Sequence, residues 1–266
     1  MEEATRPFLL AQCKAFHSLE DVYKEIESLL KVERIKEFDI HISLPYSFIE
    51  PASKKFEADK IQFGAENLLN ADEGCFTASI AGKILEEVKA KFVLIGAIQD
   101  RFSHAKDSHL LKNKLTTALG TQNKIFVCIG DTLQEYQDQL SKQILIAQLN
   151  DCLEGISEED LKRLYVVYNA EWIARTPWEA NSPELQEAYQ TFIDAIKETP
   201  QLQNFNSNQL IVTIPAYSQD VSQLIQALKT RSHPFLNYSI GILGSSAEYL
   251  QHLIKKEEFK SENEVK

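Results

Sequence analysis

Eight short apolar runs, separated by stretches with helical periodicity, constrain what this chain can fold into. They are Pro7–Gln12, Ile40–Leu44, Ile61–Gly64, Phe92–Gly96, Lys124–Gly130, Leu164–Tyr168, Leu210–Ile214 and Tyr238–Leu243. Most are near-continuous in Val, Ile, Leu and Phe, the mark of strands buried on both faces of a parallel sheet. Parallel neighbours need crossovers, and helical stretches stand where crossovers are required. One runs from Ser18 to Leu30 behind a Ser18-x-x-Asp21 capping pattern. Others are expected from about Ser79 to Ala90, Ser108 to Leu119, and Thr132 to Leu153, the last being the longest. Pro183-Glu184 opens another with proline in its favoured first turn. Gln219 to Lys229 and a segment from Ser246 complete the set, and a long polar loop follows Gly64. Eight such units in 266 residues predict an α/β fold closed as a (β/α)8 barrel. No repeat or linker divides the chain, so one domain is expected over 1–266, with a charged tail at about 256–266.

Charge narrows the partners. A formal net charge of −11 leaves no basic field for nucleic acid or an anionic membrane. Cys13, Cys75, Cys128 and Cys152 form no CxxC pair, and the six histidines show no ligand spacing with them, so no metal and no cofactor are expected. Reduced thiols, the absence of a bilayer-length apolar run and the acidic Met1-Glu2-Glu3 start point to a cytoplasmic protein. Nine glycines are few for loops that must wrap closely around a phosphate.

Several fragments, in order, carry a resemblance. Gly64-Ala65-Glu66-Asn67 is followed by Gly74-Cys75-Phe76-Thr77; then come Phe92-Val93-Leu94-Ile95-Gly96 and Val127-Cys128-Ile129-Gly130-Asp131-Thr132-Leu133. Gln148-Leu149, Leu153-x-Gly155-Ile156-Ser157 and Trp172 complete the pattern. Over almost the whole chain it resembles triosephosphate isomerase, which implies a TIM barrel. That enzyme uses a glutamate base, a neutral histidine electrophile and a loop that closes over the substrate. The resemblance also implies a lysine after the first strand, where Lys14 stands behind Gln12, and a third loop that reaches into a partner subunit. Gly64, Glu66, Asn67, Gly74, Phe76 and Thr77 would belong to that dimer loop, so a homodimer is expected.

The resemblance places Ala97 where the family has its histidine and Asn169 where it has its glutamate. Alanine has no donor to polarise a carbonyl, and an amide takes no proton at neutral pH. His104 and His109 follow in a loop and helix and read as solvated. Glu171 lies two residues beyond Asn169, on the same side if the strand continued, but roughly 6–7 Å further along at about 3.3 Å per residue. The family's glycine-rich lid reads Ile173-Ala174-Arg175-Thr176-Pro177-Trp178, and Pro215 lacks an N–H where a phosphate turn would present one. Gly244 and Ser245 remain candidates for holding the phosphate of a phosphorylated small molecule at a helix start. The expected function is therefore a triosephosphate isomerase-like protein without isomerase activity, in a structural, regulatory or partner-binding role. Residual catalysis through Lys14 and Glu171, and a barrel enzyme of altered specificity, stay open beside it.

Overall fold

Each apolar run pairs in parallel with the next in sequence order, and the eighth returns to the first, closing the barrel. The computed structural model describes residues 8–12, 18–30, 39–56, 61–69, 80–97, 109–170, 172–173, 182–214 and 237–240. The strands are β1 (Phe8–Gln12), β2 (Asp39–Leu44), β3 (Ile61–Glu66), β4 (Phe92–Ile95), β5 (Lys124–Ile129), β6 (Leu164–Tyr168), β7 (Leu210–Ile214) and β8 (Asn237–Ile240). Period-two alternation sorts their side chains into two cores. Ile40, Ile42, Val93, Ile95, Val127, Val166 and Val212 pack into the larger core with the helices. Leu10, Phe92, Leu94, Phe126, Cys128, Val167 and Ile211 fill the barrel itself.

That filling is aromatic. Phe92 and Phe126 meet edge to face at 5.1 Å, Phe126 stacks on Tyr165 at 4.8 Å, and the His41 ring lies 5.3 Å and 5.6 Å from the two phenylalanines. Gly64 gives Phe92 its room: an added Cβ would sit 2.4 Å from the ring.

Eight α-helices are described: α1 (Leu19–Leu30), α2 (Tyr46–Lys55), α3 (Gly82–Glu87), α4 (Leu110–Leu119), α5 (Leu133–Gln137), α6 (Ser141–Leu153), α7 (Glu158–Leu161) and α8 (Pro183–Glu198). Two corrections to the sequence reading follow. The sequence assigns no helix after Pro45, yet α2 begins there and carries Pro51 inside it. Proline removes one backbone donor; burial of Ile49 and Ala52 holds the segment nonetheless. The single long helix expected from Thr132 to Leu153 is two, so α8 with 16 residues is the longest described. A Thr132–Glu135 capping box starts α5. Gln139, at φ 60°, ends it, with Gln139 N donating to Tyr136 O and Leu140 N to Glu135 O, the bonding pattern of a Schellman stop.

The N-terminal end of the barrel is fastened by two side chains. The Arg163 guanidinium donates to Leu119 O, Thr121 O and Asn123 O and pairs with Asp160 at 3.0 Å. Gln209 Nε2 donates to Leu161 O, Lys162 O and Leu164 O. Fastening this end leaves the opposite rim free to carry chemistry.

Candidate functional site

The C-terminal rim of the barrel gathers the ends of the strands, and the sequence-predicted residues that are described divide there. Gln12 ends β1 and pairs in register with Ser43, which pairs with Gly64. Ser43 is 1% exposed and its hydroxyl has no hydrogen-bond partner among the described residues. Ala97 follows β4 and joins the barrel-filling cluster with Leu94 and Cys128, 7% exposed. Asn169 follows β6, one strand further round past β5.

Asn169 is held at both ends. Its backbone N–H donates to Ile129 O at 2.7 Å, extending the β5–β6 ladder by one bond. Its Nδ2 donates to Thr213 Oγ1 at 3.1 Å. Thr213 is buried near the end of β7, and Tyr189 OH donates to its carbonyl at 3.2 Å. The amide therefore has a fixed orientation, with donor and acceptor chemistry and no basic lone pair for a proton. Opposite it, Gly130 passes so close that an added Cβ would lie 2.5 Å from Asn169 O. The Gln148 side chain fixes Gly130 from behind, accepting from its N–H at 2.9 Å and donating to its carbonyl at 2.8 Å.

A buried carboxylate ties this rim to the helices outside it. Asp131, 1% exposed, accepts from Ser141 Oγ at 2.6 Å, Tyr168 OH at 2.8 Å and Trp172 Nε1 at 3.2 Å. Trp172 also stacks on Tyr136 at 4.2 Å. Period-two alternation along β7 would have found Thr213, and Asp131 sits inside the Gly130-Asp131-Thr132 motif. That it gathers three donors from three segments is visible only in the fold.

No histidine among the described residues replaces one at the rim. His41 lies inside the barrel, and burial, followed by the charge of Lys124, lowers its imidazole from 6.5 to about 3, against opposing bonds from Asp39 and Gln62. It is neutral at any physiological pH and walled off by Phe92 and Phe126. His109 stands on the outside, at the N-cap of α4, 3.4 Å from Asp151.

Of the residues expected in the dimer loop, Gly64 and Glu66 lie on β3, and the chain turns at Asn67, at φ 75°. Asn67 Oδ1 accepts from Leu68 N at 2.8 Å and from the buried Lys114 Nζ at 2.5 Å, and Tyr46 OH donates to Glu66 O and Asn67 O. Asparagine tolerates this left-handed conformation better than most residues. Gly74, Phe76, Thr77, Lys14, Glu171, Gly244 and Ser245 lie outside the described residues, as do His104, Arg175, Pro177 and Pro215. Among the described residues, no three His, Cys, Asp or Glu side chains are grouped to hold a metal, and no helix is long and apolar enough to cross a membrane.

Comparison with known proteins agrees with this geometry. Triosephosphate isomerase from Protochlamydia amoebophila (strain UWE25) is 29% identical over 199 residues, covering 74% of this chain and 75% of that one. The enzyme of the same name from Caldanaerobacter subterraneus is 22% identical over 193 residues, covering 73% and 78%. A crystal structure of triosephosphate isomerase from Bartonella henselae superposes with a TM-score of 0.75 over 95% of this chain and 100% of that one, at 18% identity. The family model for triosephosphate isomerase matches residues 7–213, and the chain belongs to that family.

Proposed function

We propose that this chain is a triosephosphate isomerase-family barrel that does not isomerise triose phosphates at a useful rate and acts instead in a structural, regulatory or partner-binding role. The observation that carries this reading is the amide after β6, held by Thr213. Enolisation needs a group that accepts a carbon-bound proton and a donor that polarises the carbonyl. By the resemblance, positions 169 and 97 supply them, and here they are Asn169 and Ala97. Loss of the base alone lowers such rates roughly 10²–10⁴-fold. An assay of the full chain with glyceraldehyde 3-phosphate, beside the Protochlamydia relative, is expected to give at least that deficit. Turnover comparable with the relative's, abolished by Glu171→Gln, would overturn the reading.

Retained isomerisation, with Glu171 as a relocated base and Lys14 beside it, is the second reading. It is favoured by the name that the relatives carry across about three quarters of this chain. On either reading the chain is one cytoplasmic barrel domain with a tail at 256–266. It has no cofactor, and Lys14, Gly244 and Ser245 would hold a phosphorylated small molecule. Homodimerisation through the segment 64–77 is supported by the fixed elbow at Asn67. Light scattering behind a sizing column is expected to give twice the 30.3 kDa chain mass; a clean monomer would refute it.

A further inference from the structure

Outside the barrel, between α5, the turn after it, α6 and α8, lies a groove of about 470 Å³. That volume falls within the range of small-molecule sites. Tyr136 and Gln139 line it from α5 and the turn, Ser141 and Lys142 from α6, and Glu187 and Asp194 from α8. Its charges are unevenly answered. Lys142 is neutralised by Glu198 at 2.6 Å, and Asp194 accepts from Gln190 at 2.9 Å with Lys197 at 3.6 Å. Glu187 has no ion-pair or hydrogen-bond partner among the described residues, so its charge is the uncompensated one in the groove. The Tyr136 phenol registers the same field: it is raised by burial first, then by Glu187, Glu184 and Asp131. It stays protonated and remains a donor.

We infer that this groove binds a small organic cation, an amine or guanidinium on a short chain, with Glu187 as its ion-pair partner and the Tyr136 ring as its apolar wall. An anion would meet two carboxylates beside a lysine already taken. A divalent metal would need a denser donor group than the described residues offer. An ammonium beside a carboxylate and an aromatic ring combines charge-assisted bonding with attraction to the ring.

The site has a built-in reporter. Tyr136 stacks on Trp172 at 4.2 Å, and Ser141 donates to Asp131, which also holds Trp172 Nε1. Displacing either lining residue changes the surroundings of that indole, next to the rim. The inference does not depend on whether the rim turns over a triose phosphate.

The test titrates the full chain with spermidine and, separately, agmatine at constant ionic strength. Tryptophan emission is followed in a Trp178→Phe background, so that Trp172 alone reports, and calorimetry is run on the unsubstituted protein. Saturable binding of at least one probe is expected, weakened about tenfold by Glu187→Gln, the factor expected for one bond to a charged group. Glu159→Gln, on the exposed α7, should leave it unchanged. No saturable heat or emission change with either probe, or equal affinity in Glu187→Gln, would overturn the proposal.

Discussion

An ideal Cβ on Gly64 would lie 2.4 Å from the Phe92 ring and 2.5 Å from the Phe92 carbonyl oxygen. Gly64→Ala is therefore expected to destabilise the fold by about 2–3 kcal/mol, the upper range for overpacking, read as a lower urea midpoint. Phe92→Leu in the same chain should recover only part of the loss, because the carbonyl stays where it is. His41 gives a second expectation. Its folded value is about 3 and its ordinary value 6.5, so below 6.5 the unfolded chain binds a proton that the folded chain refuses. Stability is full above 6.5 and lost as pH falls from there towards 3. At pH 5 the loss is about 2 kcal/mol. Urea unfolding at pH 7 and pH 5 should show that difference, and it should disappear in His41→Leu. Of these two residues the sequence told only the type. Gly64 lay inside the quoted family fragment, and His41 inside an apolar run; which ring each would meet depends on register between strands distant in the chain.

At the scale of elements, the strands were readable because burial on both faces leaves a near-continuous apolar run, which needs no knowledge of neighbours. Two helices were not. Prolines at 45 and 51 hid α2, whose stability comes from buried Ile49 and Ala52 and not from propensity. The break between α5 and α6 falls at Gln139, a residue that gives no warning of a left-handed turn as glycine would. At the rim only single positions were legible: the resemblance points to Ala97 and Asn169, and both fall just past strand ends, at β4 and β6. The brace behind them was not, since Asp131 draws its donors from α6, β6 and the residue at 172. Asp131→Ala removes the acceptor that a buried phenol, an indole and a hydroxyl share, and should cost about 3 kcal/mol or more. Chemical denaturation measures the loss, and the native emission of Trp172 should change with it.

For the whole molecule, closure depends on the last strand. β8 pairs with β7 on one side and with β1 on the other, through Leu9–Tyr238, Leu10–Ser239 and Ala11–Ile240. A chain ended after Ile214 keeps everything that the family model matches and lacks the closing strand. It is expected to lose the cooperative unfolding transition and to aggregate, because β1 and β7 would each present unpaired backbone along an apolar edge. A soluble, cooperatively unfolding fragment would contradict this. The same seam sets a schedule during synthesis. The first strand emerges some 229 residues before its second neighbour (237 − 8), and at about 5–20 residues per second that is a wait of roughly 11–46 s. For that interval β1 lacks its second neighbour, and that flank of the nascent sheet is the edge open to pairing with another extended chain.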